Sequence, residues 1–529
     1  MGTALAAVSR LQDVVAHDRA HAQAAVVPSA NAGDVQETRW RGASRALRTL
    51  QNWHAAIGSA TSDLPSTERR TLRARSRDAF RNNLIGRAAL TRCRTNIVGA
   101  GLICRPNVDA KALGLSADAA EALNAQLLAS WEQWAESPIE CDQEATLDFY
   151  GLQALALLSG MASGDVFGIT PSQRRPGCTF GLKVQLVEAD RVGNPNDAPD
   201  TTSCIDGVEL RDGMPVGYWV RDTHPGDTQS LRISTWTYYA AFGEATGRRR
   251  VLHIWNDKDR PGQVRGAPYL APILEPLKQL DRYGGAELMA AVISAMFTVF
   301  IKRSPEAAGD GDPFDVDAQG QMQLGNAAIV GLGVGEEPEF ANPSRPNANF
   351  DPFFVAVVKQ IGAALELPLD ELLLHYNASY SAARAAMLQA WRFYTQRRWL
   401  LTQQFCAPVY GLFLDEQVAS GRLALPGYSD PIRRAAYTRA LWIGPARGSM
   451  DEEKEANAAR TRIEIGVSNE AVETAAMTGE DHQSVYQQRV REINQRKADG
   501  IYYPPRDVRG GAQVADNAPP ARESTGGTL

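Results

Sequence analysis

The sequence predicts an α+β chain, mainly helical, with one compact β-rich region. Two textures predict it. Apolar residues recur at three and four positions through several long stretches, the spacing that puts them on one face of a helix. Between residues 165 and 256 that spacing gives way to short runs such as LKVQLVE, PVGYWVRD, TWTYYAAF and VLHIW, punctuated by Gly, Pro, Asn and Asp. This is strand-and-turn composition, with room for about five to seven strands.

The elements follow in order. Residues 1–38 are Ala-rich and weakly patterned, and read as an N-terminal arm. Residues 39–105 hold 14 arginines, no lysine and three acids, Asp63, Glu68 and Asp78. Within them, residues 68–99 read as helix, with Leu72, Ala79, Leu84, Ala88 and Cys93 on one face and Gly99 and Gly101 ending it. Leu123, Leu127, Leu128, Trp131 and Trp134 carry the next helical pattern, and LDFYGLQALALLSGM a further one. After the β-rich part, Leu270, Ile273, Leu274, Leu277 and Leu280 open a helix expected over 268–303. Residues 304–349 are rich in Gly, Pro, Asp and Asn, with strand-like pieces QMQLG and NAAIVGLG, and read as a small β excursion between two helices. Helix resumes at 353–365, limited by Pro368. A long helix is expected from Ser379 to about Cys406, ending near Pro408. Residues 449–500 are a charged helical region with Ser449 as its first cap. The tail, 504–529, has the Gly-, Pro- and Asn-rich composition of disorder.

Composition narrows the function. The net charge of -6 argues against a protein that coats nucleic acid, because such binding rests on neutralising many phosphates. The six cysteines are scattered without a CxxC pair, as in a reducing compartment. Asp13, His17, Asp18 and Arg19 interrupt any signal-peptide core. The most apolar run, 288–301, is short of the ~20 residues that span a bilayer, and reads as a buried or interface helix.

Motifs of catalysis and cofactor binding are missing. IVGAGLICRPN lacks the third glycine of a dinucleotide loop, Cys104 standing in its place, and follows a helical pattern rather than a strand. No GxxxxGK[ST], HExxH, GxSxG or Cys/His metal spacing occurs. The carboxylates around Asp190 read as a turn rather than a metal site. No catalytic residue, cofactor or metal is therefore assigned. The arginines of 39–105 suit two partners, carboxylates of another protein surface or phosphate. The acidic balance favours the first. The second leaves open a DNA-processing or nucleic-acid-binding enzyme subunit that uses 39–105 as its surface.

Five blocks occur in a fixed order: RSRDAFRNNLIGRAALTRCRTNIVGAGL; VQLVEADRVGNPN with GVELRDGMPVGYWVRDTHPGD; VLHIWNDKDRPGQVRGAPYLAPIL; NPSRPNANFDPFF with SYSAARAAMLQAW; and WIGPARGSMDEEKE. Together they resemble the lambda-like portal proteins of tailed bacteriophages over roughly residues 39–500. The chain departs from the family at Asp451-Glu452, where Asp-Pro is common. The resemblance implies a ring, typically of twelve subunits, at one capsid vertex, through which double-stranded DNA is packaged and ejected. Its implied partners are further copies of itself, the large terminase, head-tail connector proteins, and capsid and scaffold proteins, with no membrane. It implies residence in the virion, and in the host cytoplasm during assembly. Portal subunits of this kind have a wing, a stem, a clip and a crown; mapped onto this chain, the wing is expected at 39–267 and 378–448 (the long helix and the segment after it), the stem helices at 268–303 and 350–365, the clip at 304–349, a tunnel loop at 366–377 and the crown at 449–503. Channel-facing residues are then expected at Leu369, Asp370, Glu371, His375, Tyr376 and Asn377. Subunit-interface residues are expected at Arg73, Arg77, Arg81 and Arg384.

Overall fold

The computed structural model describes residues 43, 47–50, 52–55, 57–227, 234–295, 299–303, 336–340, 349–376, 379–449 and 451–502. The expected arm, the pieces QMQLG and NAAIVGLG, and the tail lie outside them. Two units make up the chain, residues 1–58 and 59–529. In the first, the described residues make turns at 47–53 and leave Trp53 and Ile57 exposed.

The arginine-rich segment is two helices, α1 (Ser66–Asn82) and α2 (Leu84–Ile97), rather than one. Asn83 breaks them: its backbone is extended and its side chain accepts from the Gly86 amide at 2.7 Å. A short amide side chain competes for backbone donors and so starts a new helix. The break resets the helical phase. Leu84, expected on the buried face, is 84% exposed, while Ile85, Ala89, Leu90, Cys93 and Ile97 fill the core. The chain then turns at Gly99 and Gly101, both at positive φ, into β1 (Ile103–Pro106), as the helix-ending reading requires.

Helices α3 (Ala117–Ala135) and α4 (Phe149–Ser163) bring Trp131 to the centre of the main core. Its ring lies 5.0 Å from Trp134, 5.1 Å from Phe149 and 5.3 Å from both Tyr410 and Phe413. Truncating such a buried indole costs about 3–5 kcal/mol.

Among the described residues the β region holds seven strands in two antiparallel sheets. β2 (Asp165–Ile169) is flanked by β3 (Gln185–Glu188) and β8 (Val251–Trp255). β4 (Cys204–Ile205), β5 (Val208–Arg211), β6 (Met214–Arg221) and β7 (Trp236–Ala240) form the other sheet. They share a small core of Phe167, Val187, Val208, Tyr218 and Val220, separate from the helical one.

Helix α5 (Leu274–Ala295) stops before residue 303. The run VFIKR is instead strand β9 (Val299–Arg303), paired antiparallel with β10 (Glu336–Phe340). Consecutive aromatic and β-branched residues favour the extended chain. The apolar run 288–301 is thus divided between helix and strand. Helix α6 (Phe350–Ala364) follows, and α7 (Leu369–Leu373) is a short turn beyond it.

The long helix α8 (Tyr380–Leu401) does not end at Pro408. It passes through a π turn, Thr402–Cys406, into α9 (Ala407–Ala419). The Ala407 amide donates to the Thr402 carbonyl. That wider turn accommodates a proline, which brings no donor and crowds the turn before it. Helix α10 (Pro431–Tyr437) leads to β11 (Ala440–Ile443), which pairs with β1 and sets Trp442 beside Trp131. Three charged helices follow: α11 (Glu452–Glu464), α12 (Glu470–Thr478) and α13 (His482–Ala498). Asp451, not Ser449, caps the first, accepting from the Lys454 amide. Among the described residues no helix is long and apolar enough to cross a membrane.

Candidate ring-interface and channel elements

The arginine-rich helix α1 spends much of its charge inside the subunit. Arg265, fully buried, donates from Nε to Asp165 Oδ2 at 2.7 Å and from Nη2 to Asp165 Oδ1 at 3.1 Å. Its Nη1 donates to Asp206 Oδ2 at 2.9 Å. Arg73, 1% exposed, lies 3.5 Å from Asp165, and it donates to the carbonyls of Ser163 and Ala189. Arg69 bonds Asp206 and the Leu64 carbonyl. His253, stacked between Phe167 and Trp255, completes the cluster with Nε2 at 3.1 Å from Asp165 Oδ2. Glycines let the chain into this space: Gly164 and Gly266 approach so closely that a Cβ on either would strike the other's backbone.

Electrostatics keep the cluster charged. Burial opposes the Asp165 carboxylate, yet Arg265, the His253 hydrogen bond and Arg73 together hold it well below the usual range. Burial, and next the neighbouring Arg265, push Arg73 down to about 10, where it stays protonated at neutral pH. Burial holds His253 below its ordinary value, so it is neutral. A carboxylate only accepts, so Nε2 carries the proton. Among the described residues no group of three His, Cys, Asp or Glu side chains could hold a metal. Beside Asp190 stands Arg77, at 2.6 Å.

This placement corrects one expectation. Arg73 is not at a subunit surface, because three internal carboxylates surround it. Arg77 is part-exposed and pairs with Asp190 of its own subunit. Arg81 and Arg384 are exposed. The sequence reading missed Asp165, Asp206 and Arg265 as a unit. One signal was legible: an aspartate opening the otherwise apolar strand DVFGI needs a buried partner.

Helices α5 and α6 pack against each other, Tyr283 stacking on Phe350 at 5.6 Å and meeting the edge of Phe353 at 5.1 Å. Along α5, Leu288 and Met289 are 68% and 60% exposed. Beyond α6 the chain turns sharply, the Leu367 amide donating to Gly362 O at 2.9 Å and the Tyr269 hydroxyl to Leu365 O. Segment 366–374 is bracketed by two left-handed residues other than glycine, Glu366 (φ 55°) and Leu374 (φ 53°). Each costs about 1–2 kcal/mol, so the packing between them must hold the turn. Leu367 and Leu372 are buried, and Leu369 and Leu373 pack on the same core.

The residues expected in a channel therefore divide. Leu369 faces the core, and Asp370 and Glu371 are half-buried. Burial raises the Glu371 carboxyl, partly offset by Arg92. His375 and Tyr376 are exposed, and Asn377 lies outside the described residues.

At the C-terminal end, α11 and α12 form a hairpin closed by a bidentate pair, Arg462 to Glu473 at 2.8 and 2.6 Å. Those bonds, above all, hold the Glu473 carboxyl down at about 2. Gly479 returns to the backbone of residues 444–446, near where the hairpin began. Helix α13 then leaves from Asp481, which caps it and pairs with Arg105 at 3.4 Å.

Residues 47–398 match the model of the phage portal protein, lambda family. Portal protein B of Escherichia phage lambda is 26% identical over 459 residues, covering 82% of this chain and 85% of that one. The portal protein of Escherichia phage N15 is 26% identical over 488 residues, covering 86% and 89%. Among solved structures, the neck of an empty gene transfer agent particle matches 75% of this chain and 90% of its own, at 14% identity and a TM-score of 0.43. The family match spans well over half of the sequence and takes in the ionic cluster, the helix pair and most of the long helix, so the chain belongs to the lambda family of phage portal proteins.

Proposed function

We propose that the chain is one subunit of a closed ring of about twelve copies at one capsid vertex, a closed point group being the usual form of a homo-oligomer. Double-stranded DNA passes through the ring during packaging and ejection. The ring docks the large terminase and the head-tail connector proteins, and meets capsid and scaffold proteins. It assembles in the host cytoplasm and resides in the virion. The chain itself is not an enzyme: the ATPase of packaging belongs to the terminase. The observation that carries this reading is the family match over 47–398.

In this reading the stem is α5 and α6, the clip is the excursion that β9 and β10 open and close, and the crown is α11–α13. The tip 374–376 faces the channel, and Arg81 and Arg384 lie toward neighbouring subunits. A DNA-processing role for 39–105 is disfavoured by the fate of its arginines. Arg69, Arg70, Arg73 and Arg77 pair with aspartates of their own subunit.

The test is the native mass of the purified protein with negative-stain images of the same sample. Rings of about a dozen copies with a central hole support the reading. A chain that stays monomeric at every concentration, with and without a scaffold protein, overturns it.

A further inference from the structure

Helix α13 has 17 residues and none of them is buried. His482, Val485 and Ile493 are half-buried and the rest is exposed, and a helix so bare needs a partner or a dense set of its own ion pairs. It has few pairs: Arg496 meets Glu492 at 3.8 Å, and Arg489 has no ion-pair partner among the described residues. Its charge is one-sided, four basic residues (Arg489, Arg491, Arg496, Lys497) against the single acid Glu492. Tyr486 and Val490, four residues apart and so on one face, are 52% and 37% exposed.

The hairpin before it, residues 451–480, has the opposite balance, eight acidic residues against three basic. Glu452 and Glu453 stand exposed at its start and make no ion pair among the described residues. The hairpin also leaves Ile465 and Val472 exposed, at 66% and 56%. Within one subunit α13 meets α12 at its start, His482 Nε2 lying 3.6 Å from Glu470, and its basic half runs on away from that contact. Gly479 returns to residues 444–446, and α13 departs along Ile103 and Arg105 with its basic half beside Tyr502.

We propose that the basic half of α13 docks on the acidic hairpin α11–α12 of a second copy of this chain. Each copy offers one basic and one acidic surface, so the contact is head-to-tail and repeats around a ring. Tyr486 and Val490 supply the apolar centre and the arginines an ionic rim that sets the register. The chain's overall acidity favours this partner over DNA. The proposal rests on the ring reading and deepens it by naming the surfaces that meet.

The experiment uses the full chain in three variants: Arg489→Glu with Arg491→Glu; Glu452→Lys with Glu453→Lys; and all four together. All four positions are exposed, and circular dichroism and thermal melting check that each variant folds as the parent does. Either reversal lowers the ring fraction by about tenfold or more, because like charges then face each other. An equimolar mixture of the two, or the fourfold variant, restores it. Rings indifferent to both reversals overturn this contact and leave the ring reading standing. So does failure of the fourfold variant to recover, or an arginine reversal whose one effect is weaker retention of a short DNA duplex. A parent that forms no oligomer overturns the ring reading and this contact together.

Discussion

Asp165 and Arg265 form a fully buried bidentate pair, Nε to Oδ2 at 2.7 Å and Nη2 to Oδ1 at 3.1 Å. The same carboxylate accepts from the Gly266 amide at 3.0 Å and from His253, so it is saturated by donors from β8 and from the segment after it. The pair joins the first strand of the β region to the chain that leads into α5. Removing one member strands the other's charge. Arg265→Met lowers the unfolding free energy by about 3–5 kcal/mol, read as a lower denaturant midpoint. Arg265→Lys recovers little, since a point charge cannot replace the planar fork. A midpoint within error of the parent for both would show that the pair contributes nothing.

The cluster also makes stability depend on pH, with one sign. His253 is held below its unfolded value of 6.5 and Asp165 well below its unfolded value of 3.8. In both cases the unfolded chain takes up the proton first as pH falls. Stability is full above about pH 6.5, falls as pH drops through the lowered His253 value, and falls again below about pH 4. His253→Gln keeps a donor toward Asp165 and cannot titrate. Its denaturant midpoint should stay flat between about pH 7 and 5, where the parent's declines. A parent midpoint that rises on acidification in that window would contradict the assignment of a neutral His253.

Leu84 and Leu90 separate the two-helix structure from a single helix. Leu84→Gln should change stability by no more than about 0.5 kcal/mol, since the side chain is 84% exposed. Leu90→Ala should cost about 2–5 kcal/mol. Equal losses at both positions would show that Asn83 does not break the helix.

The hairpin α11–α12 hangs on Arg462 and Glu473. Glu473→Gln keeps the size and removes the charge that holds both bonds. Faster amide hydrogen exchange is expected across 452–478, with the exchange of α4 and α9 unchanged. Unchanged protection of the hairpin would assign its stability to apolar contacts instead.

Arg384 lies exposed on α8 near Asp451, whose carboxyl is held down first by its bonds to Lys454 and least by Arg384. Arg384→Glu should lower ring yield, read by native mass, without a change in monomer melting. Unchanged yield places this stretch of α8 away from the subunit contact.

Local chemistry made the element types readable from the sequence. Period-2 and period-3.6 patterns, the turn residues of 165–256 and the glycines at 99 and 101 act within a few positions, so the α+β class, the order of elements and the helical C-terminal end were determined by the chain itself. Local readings failed where two tendencies competed: at Asn83, whose side chain captured a backbone donor, at 299–303, where strand replaced helix, at Pro408, absorbed by a π turn, and at Ser449, where Asp451 caps the helix instead. The arginines were decided by tertiary structure alone. A guanidinium suits solvent, phosphate, a neighbour's carboxylate or a buried aspartate equally well, and only the fold chooses among them. Arg69 meets Asp206 across 137 positions and Arg265 meets Asp165 across 100. No pattern within a helix or a strand reports an encounter at that separation, because it exists only once the two sheets and α1 have packed.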